Sequence, residues 1–184
     1  DGSEAWKTYT VPRKPEVSGK TSVGTVTMGP SGVGVWGSPT MDARRGRMYI
    51  TTGNNYSQPG TDTSDAVVAL DPNTGRILWT RQALAGDVYN SACASTVKLP
   101  SCPEEDGPDY DFGSPAILAR TMAGRDLLLA GQKAGIVWAF DPARNGEVVW
   151  QTRVGQGGIN GGILWGMASD GEHVYATVSD AVID

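Results

Sequence analysis

One stretch of this 184-residue chain occurs twice. AVVALDPNTGRILWTRQ, residues 66–82, returns as GIVWAFDPARNGEVVWQTRV, residues 135–154. Ala69, Asp71, Gly75 and Trp79 correspond to Ala139, Asp141, Gly146 and Trp150, and the second turn is one residue longer. The opening DGSEAWKTYTV repeats the tail of the same unit, with Gly2 and Trp6 at the offset of Gly75 and Trp79. The tryptophans thus stand at 6, 79 and 150, 73 and 71 residues apart. Self-similarity at a fixed period marks an array of supersecondary units, none of which can bury its apolar face alone.

The preceding segments repeat as well. VWGSPTMDARRGRMYITTG resembles LWGMASDGEHVYATVSDAV, and FGSPAILARTMAGRDLLLAG resembles both. Each unit therefore holds four short β-rich runs separated by turn residues, which in the middle unit fall at about 113–119, 126–132, 135–141 and 147–154. Four antiparallel strands per repeat, with a tryptophan in the last, predict an all-β chain of β-propeller blades. Asp and Gly shape the hairpin turn, and the indole docks between neighbouring blades. The expected layout is a blade tail at 1–11, full blades at about 35–83 and 113–154, a partial blade at about 163–184, and a Cys-containing insert at 86–112. Propellers close with four or more blades, so the chain reads as a fragment of one larger propeller domain, whose remaining blades are its first partners. Its cut edges should leave it unstable alone.

Charge narrows the function. Twenty acids face 15 bases for a net charge of −5, and no Lys/Arg cluster exists. Nucleic acid and anionic membrane surfaces are therefore poor partners. No run approaches the roughly 20 apolar residues of a membrane span, and no targeting signal is visible at the start. Cys93 and Cys102, the only cysteines, bracket a Pro-containing loop. They read either as a local disulfide, which would point to a periplasmic or secreted protein, or as free thiols. Two cysteines and one histidine make no zinc site by themselves.

The A-x-D-x-x-x-G-x-x-x-W pattern resembles the tryptophan-docking repeat of the eight-bladed quinoprotein alcohol dehydrogenases, which use pyrroloquinoline quinone. WGSPTMD, YITTGNN and DYDFGSP follow in the order found in the polyvinyl alcohol dehydrogenase branch of that family. The resemblance implies oxidation of primary or secondary alcohols with the quinone and calcium (Ca2+), electrons passing to a cytochrome c.

It also implies roles for individual residues. Trp36 falls where the family stacks a tryptophan on the quinone, a flat floor suited to a tricyclic ring. Asn54, 18 residues on, falls at the family's calcium-coordinating Asn, and Asn55 could replace it. An amide oxygen suits a hard cation, although GNN could equally be a turn.

Asp109 falls at the general base, which accepts the alcohol proton and lies near calcium, with Asp111 as the fallback. Pro108 stands where a W-D-Y motif has Trp. Glu104, Glu105 and Asp106 read as a solvated loop. Lys133, 24 residues after Asp109, falls where a cation donates to the quinone oxygens, the alternative being an exposed hairpin lysine. Trp165 repeats the Trp36 position one blade later and either lines the substrate mouth or packs. His173 sits in a hairpin turn and carries no chemistry.

A non-catalytic propeller of the outer-membrane assembly lipoprotein type is the competing reading, because it shares the docking repeat. Convergence of Trp36, Asn54, Asp109 and Lys133 on one funnel favours the enzyme; scatter favours the scaffold.

Overall fold

The computed structural model describes residues 1–94 and 96–180. A hairpin opens the fold, β1 (Glu16–Lys20) and β2 (Val26–Gly29), followed by the short β3 (Ser31–Gly32). Next come β4 (Thr40–Asp42), β5 (Arg47–Thr51), β6 (Asn55–Ser57), β7 (Ala66–Leu70) and β8 (Ile77–Gln82). After a long connection run β9 (Ile117–Arg120), β10 (Asp126–Gln132), β11 (Ile136–Asp141) and β12 (Glu147–Arg153). The hairpin β13 (Met167–Ser169) and β14 (Val174–Ala176) completes the set. Among the described residues there is no α-helix, only two 3-10 turns.

Two four-stranded antiparallel sheets dominate, ordered β4-β5-β7-β8 and β9-β10-β11-β12. They are the two full blades expected from the repeat. Strands β7 and β11 pair with β8 and β12 through the same step: Ala69 faces Trp79 and Ala139 faces Trp150, each followed by a bulge. An extra residue at that point twists the outer strand and turns the indole toward the neighbouring blade. Residues 1–11 carry no strand, and among the described residues the expected partial blade at 163–184 shows its first hairpin. Ser95, within the expected insert, and residues 181–184 of that partial blade lie outside the described residues.

Docking explains the Gly and Trp of the repeat together, while the Asp caps its own turn, Asp71 Oδ1 accepting the Asn73 N–H and Asp141 Oδ1 the Ala143 N–H. Trp6 Nε1 donates to the Pro72 carbonyl at 2.8 Å, and its ring lies over Gly75. The Trp79 ring lies over Gly146 likewise, although its Nε1 has no hydrogen-bond partner among the described residues. A Cβ on Gly75 would stand 2.3 Å from the Trp6 ring and one on Gly146 2.5 Å from the Trp79 ring. Both glycines also have positive φ, 70° and 73°, a conformation other residues enter at a cost. Each turn thus needs glycine twice over, for its backbone and for the ring above it.

The core follows the alternation of β7. Val67 and Ala69 face the second blade with Tyr49 and Trp79, meeting Phe112, Ala116, Leu128, Ala130 and Phe140. Ala66, Val68 and Leu70 face the opposite way with Ile50. A strand buried on both faces reads as an unbroken apolar run, as AVVAL does.

An ion-pair bridge ties the blades at the rim. Arg45 donates to Asp42 Oδ2 at 2.8 Å and to Asp126 Oδ2 at 2.7 Å, and the two carboxylates are 1% and 7% exposed. Burial opposes ionisation of Asp42, but hydrogen bonds from Arg45 and Tyr49 outweigh it and hold the carboxyl below its usual range. Arg45 likewise holds Asp126 down. Arg45→Ala is expected to lower unfolding stability at pH 7 by about 3 kcal/mol, because it strands a buried charge. Carboxylates with depressed folded pKa values stabilise above their unfolded pKa of about 4 and lose that contribution as pH falls through the folded one. Urea unfolding at pH 7 and pH 3 should therefore show the penalty shrinking in acid; an undiminished penalty would mean that Arg45 acts by packing alone.

Candidate functional site

The site forms where both blades present the start of their inner strands and the loops beside them. A cleft of about 630 Å³ opens there, lined by Trp36, Asn54, Tyr56, Tyr89, Asp109 and Asp111 among others. The long connection after β8 reaches it by running alongside β6. Asn55 N–H donates to the Asp87 carbonyl at 3.2 Å, and Tyr89 N–H donates to the Asn55 carbonyl at 2.8 Å.

Asn54 is held by its own nitrogen. Nδ2 donates to the carbonyls of Asn55 and Tyr89, both at 2.8 Å, and among the described residues no donor reaches Oδ1. The amide is thus turned so that its oxygen is available for a ligand. Asn55 differs: its Oδ1 accepts from the Thr61 N–H at 2.8 Å, its Nδ2 donates to Ser31, and the residue is wholly buried. Of the two amides, Asn54 faces the cleft.

The aspartates divide their work. Asp111 Oδ1 accepts the Asn54 N–H at 2.7 Å, and its Oδ2 lies 3.2 Å from Lys133 Nζ. Asp109 Oδ2 accepts from the same ammonium at 2.6 Å, and among the described residues no donor reaches its Oδ1. Burial pushes Asp109 up, to about 6; the Lys133 ammonium opposes the shift, and the carboxylates of Asp111 and Asp87 add to it. Lys133 itself is 4% exposed and sits behind the two carboxylates rather than on the cleft wall. It is far from the exposed hairpin lysine that its sequence context also allowed.

Trp36 forms a wall. Its ring crosses two glycines: a Cβ on Gly53 would stand 3.3 Å from Nε1, and one on Gly113 2.8 Å from Cη2. The Gly53 Cβ would also reach to 2.7 Å from Asp111 Oδ1. Any side chain at Gly53 would therefore separate the ring from the acid. The indole remains half-exposed, so one face is open to a flat ligand. Trp165 stands apart, 83% exposed and outside the cleft lining; its neighbour Ile163 takes the buried position in that segment. His173 is exposed in its turn, as expected.

Two acids that sequence reasoning passed over complete the site. Asp87 is buried, and its oxygens accept the N–H groups of Asp109 (3.2 Å) and Tyr110 (2.8 Å). It thereby holds Asp109 in a left-handed conformation, φ 61°, which costs about 1 kcal/mol or more in a non-glycine residue. Asp65 is wholly buried at φ 47°, and neither carboxylate oxygen has a hydrogen-bond partner among the described residues. The adjacent Ser64 hydroxyl donates to the Thr61 carbonyl instead. Burial, then the Asp87 and Asp111 carboxylates, push Asp65 up to about 9. Both acids lie in polar loop sequence with no periodicity to mark them as interior.

The cysteines form a disulfide, Cys93–Cys102, closing the loop that flanks the cleft. Among the described residues no helix is long and apolar enough to cross a membrane.

Known proteins carry the same pattern. Residues 1–151 match the family described as PQQ: glucose/ethanol/alcohol dehydrogenase, beta-propeller domain. The polyvinylalcohol dehydrogenase of a Pseudomonas species is 38% identical over 181 residues, covering 98% of this chain and 28% of that protein. That of Sphingopyxis sp. strain 113P3 is 39% identical over 180 residues, covering 97% and 28%. The chain therefore spans little more than a quarter of the length of these relatives. Among solved structures, the quinohemoprotein alcohol dehydrogenase of Pseudomonas putida HK5 superposes with a TM-score of 0.56 at 27% identity, over 83% of this chain and 23% of that one.

Proposed function

Because this chain belongs to the family of PQQ-dependent alcohol dehydrogenase propellers, we propose that it forms part of the cofactor and substrate site of a quinoprotein alcohol dehydrogenase. The observation that carries the reading is the pairing of two free oxygens in one cleft. Asn54 Oδ1, fixed by the Nδ2 bonds, and Asp109 Oδ1, left open by the Lys133 pair, both lack protein donors among the described residues. An amide oxygen with one or two carboxylates is the donor set of a hard cation, and calcium is the proposed ion. The open face of Trp36 offers the adjoining quinone an aromatic floor. When bound, quinone and cation supply the electron acceptor and the Lewis acid.

The chain's own residues supply position and proton handling. Asp109, ionised, accepts the hydroxyl proton of the alcohol at Oδ1. Asp87 fixes its backbone and Lys133 its second oxygen, so that the accepting lone pair has one direction. Asp111 anchors the Asn54 backbone and so couples the base to the metal ligand. Lys133 lies behind the two carboxylates and is proposed to stabilise negative charge on the quinone oxygens from there, without leaving Asp109.

Similarity to polyvinylalcohol dehydrogenases supports a secondary-alcohol substrate, and the disulfide agrees with the proposed periplasmic or secreted location; a cytochrome c is the proposed electron acceptor. A non-catalytic scaffold gives no reason for a buried ion-pair cluster to end in two free oxygens beside an open indole.

The test is reconstitution of the full-length protein. Alcohol-dependent dye reduction should require both quinone and a divalent or higher-charged cation, and chelation should abolish it reversibly. Asn54→Leu should raise the cation concentration needed for half-maximal activity at least tenfold. Chelator-insensitive activity, or an unaltered cation requirement in that variant, would remove Asn54 from the metal site.

A further inference from the structure

The cleft does not end at its own rim. Tyr56, half-exposed on β6, lines it on one side and on the other lines a second groove of about 710 Å³. One wall of the groove is the β1–β2 hairpin, contributing Ser18 and Thr27; the other is the disulfide loop, contributing Leu99 and Ser101; Gln58 continues the floor from Tyr56. Both walls are connections that lead from one blade toward the next inner strand, which places them on the face of the propeller where the cleft opens. We infer that this groove is a subsite for the chain of a polymeric secondary alcohol, holding the segments that flank the unit being oxidised.

Three features carry the inference. The first is continuity, since Tyr56 belongs to both openings. The second is rigidity. Asn90, itself in the cleft, donates through Nδ2 to the Tyr56 carbonyl and to the Ser101 carbonyl, each at 3.0 Å. Together with the Cys93–Cys102 bond this pins the outer wall to the floor, so the groove exists before a ligand arrives. The third is chemistry. The lining mixes hydroxyls and an amide with apolar Leu99 and Pro100; of its charged groups Lys98 is paired with Asp106, while Lys20 and Glu104, of opposite sign, are exposed. A neutral chain with hydroxyls spaced along a hydrocarbon backbone satisfies such a surface; a compact alcohol fills the cleft and leaves the groove to water.

The inference rests on the alcohol dehydrogenase reading, and the experiment separates the two. Ser18→Trp and Ser101→Trp fill the groove from opposite walls, at exposed positions that touch none of the proposed catalytic groups. In quinone-loaded full-length protein each should raise KM for poly(vinyl alcohol) about tenfold while leaving kcat/KM for 2,4-pentanediol within twofold of the parent, which also reports that the variants fold. Without quinone, calorimetry with vinyl alcohol oligomers of graded length should show affinity rising with length in the parent and flat in both variants. Parent affinity independent of chain length, or equal losses on diol and polymer, would overturn the groove. Turnover of neither alcohol, with length-dependent binding intact, would overturn the dehydrogenase reading and leave the groove standing.

Discussion

Replacing Asp109 with asparagine should lower kcat for alcohol oxidation by about a thousandfold while leaving quinone binding within a few-fold. A positioned base contributes on the order of 10²–10⁴ to such a step. Asparagine keeps the shape, and its short polar side chain tolerates the left-handed backbone that Asp87 imposes at this position. The loss should appear in kcat and kcat/KM together, as for a group that acts in the transition state. The pH profile gives a second signature. Only the ionised carboxylate accepts a proton; burial raises its pKa and a bound cation would lower it, so the parent should lose kcat/KM on the acid side of its profile. The variant should lack this acid limb. Full activity in Asp109→Asn with loss in Asp111→Asn would transfer the role to Asp111, whose Oδ1 is otherwise occupied by the Asn54 N–H.

Asp65→Asn should have the opposite character: it should stabilise the protein. Asp65 has no solvent exposure and no hydrogen-bond partner among the described residues, and its pKa is pushed up to about 9 by burial and by Asp87 and Asp111. For an acid raised on folding, the folded state retains a proton that the unfolded chain releases above about pH 4. Stability therefore falls as pH rises between roughly 4 and the folded value, by up to about 1.4 kcal/mol per unit. Asparagine cannot ionise and, like aspartate, tolerates positive φ. The variant should be about 2–4 kcal/mol more stable than the parent at pH 7 and nearly equal to it at pH 4. Denaturant midpoints at pH 4, 7 and 9 measure the difference; a variant less stable than the parent at pH 9 would show that Asp65 is ionised and stabilising in the fold. An acid kept in so unfavourable a place, next to the cleft, matches the tendency of functional sites to hold strain and unpaired polar groups that the rest of the fold offsets.

How far the sequence reaches can be judged residue by residue. Trp6, Trp79, Gly75 and Gly146 disclosed blades and docking because their offsets are local: a turn of fixed length carries a glycine and an indole at fixed positions. The strands of the second blade fell almost where the turn residues put them. Asn54, Asp109 and Lys133 could be picked out only through family likeness, since polar residues after strands look alike whether they face a cleft or water.

What the amino-acid sequence determined by itself was thus the repeating unit, its four strands and the positions of the docking glycine and tryptophan in each unit, all of which depend on spacing within a few dozen residues. Tertiary structure alone decided the rest. It turned Asn54 to the cleft and buried Asn55 by giving each amide different partners, drew Lys133 behind two carboxylates, and buried Asp65 and Asp87. It also left Trp165 outside the cleft and joined that cleft to a groove through Tyr56. Those outcomes arise from contacts between segments 20 to 60 residues apart, where burial and the dielectric around each charge are set by neighbours that no local pattern records.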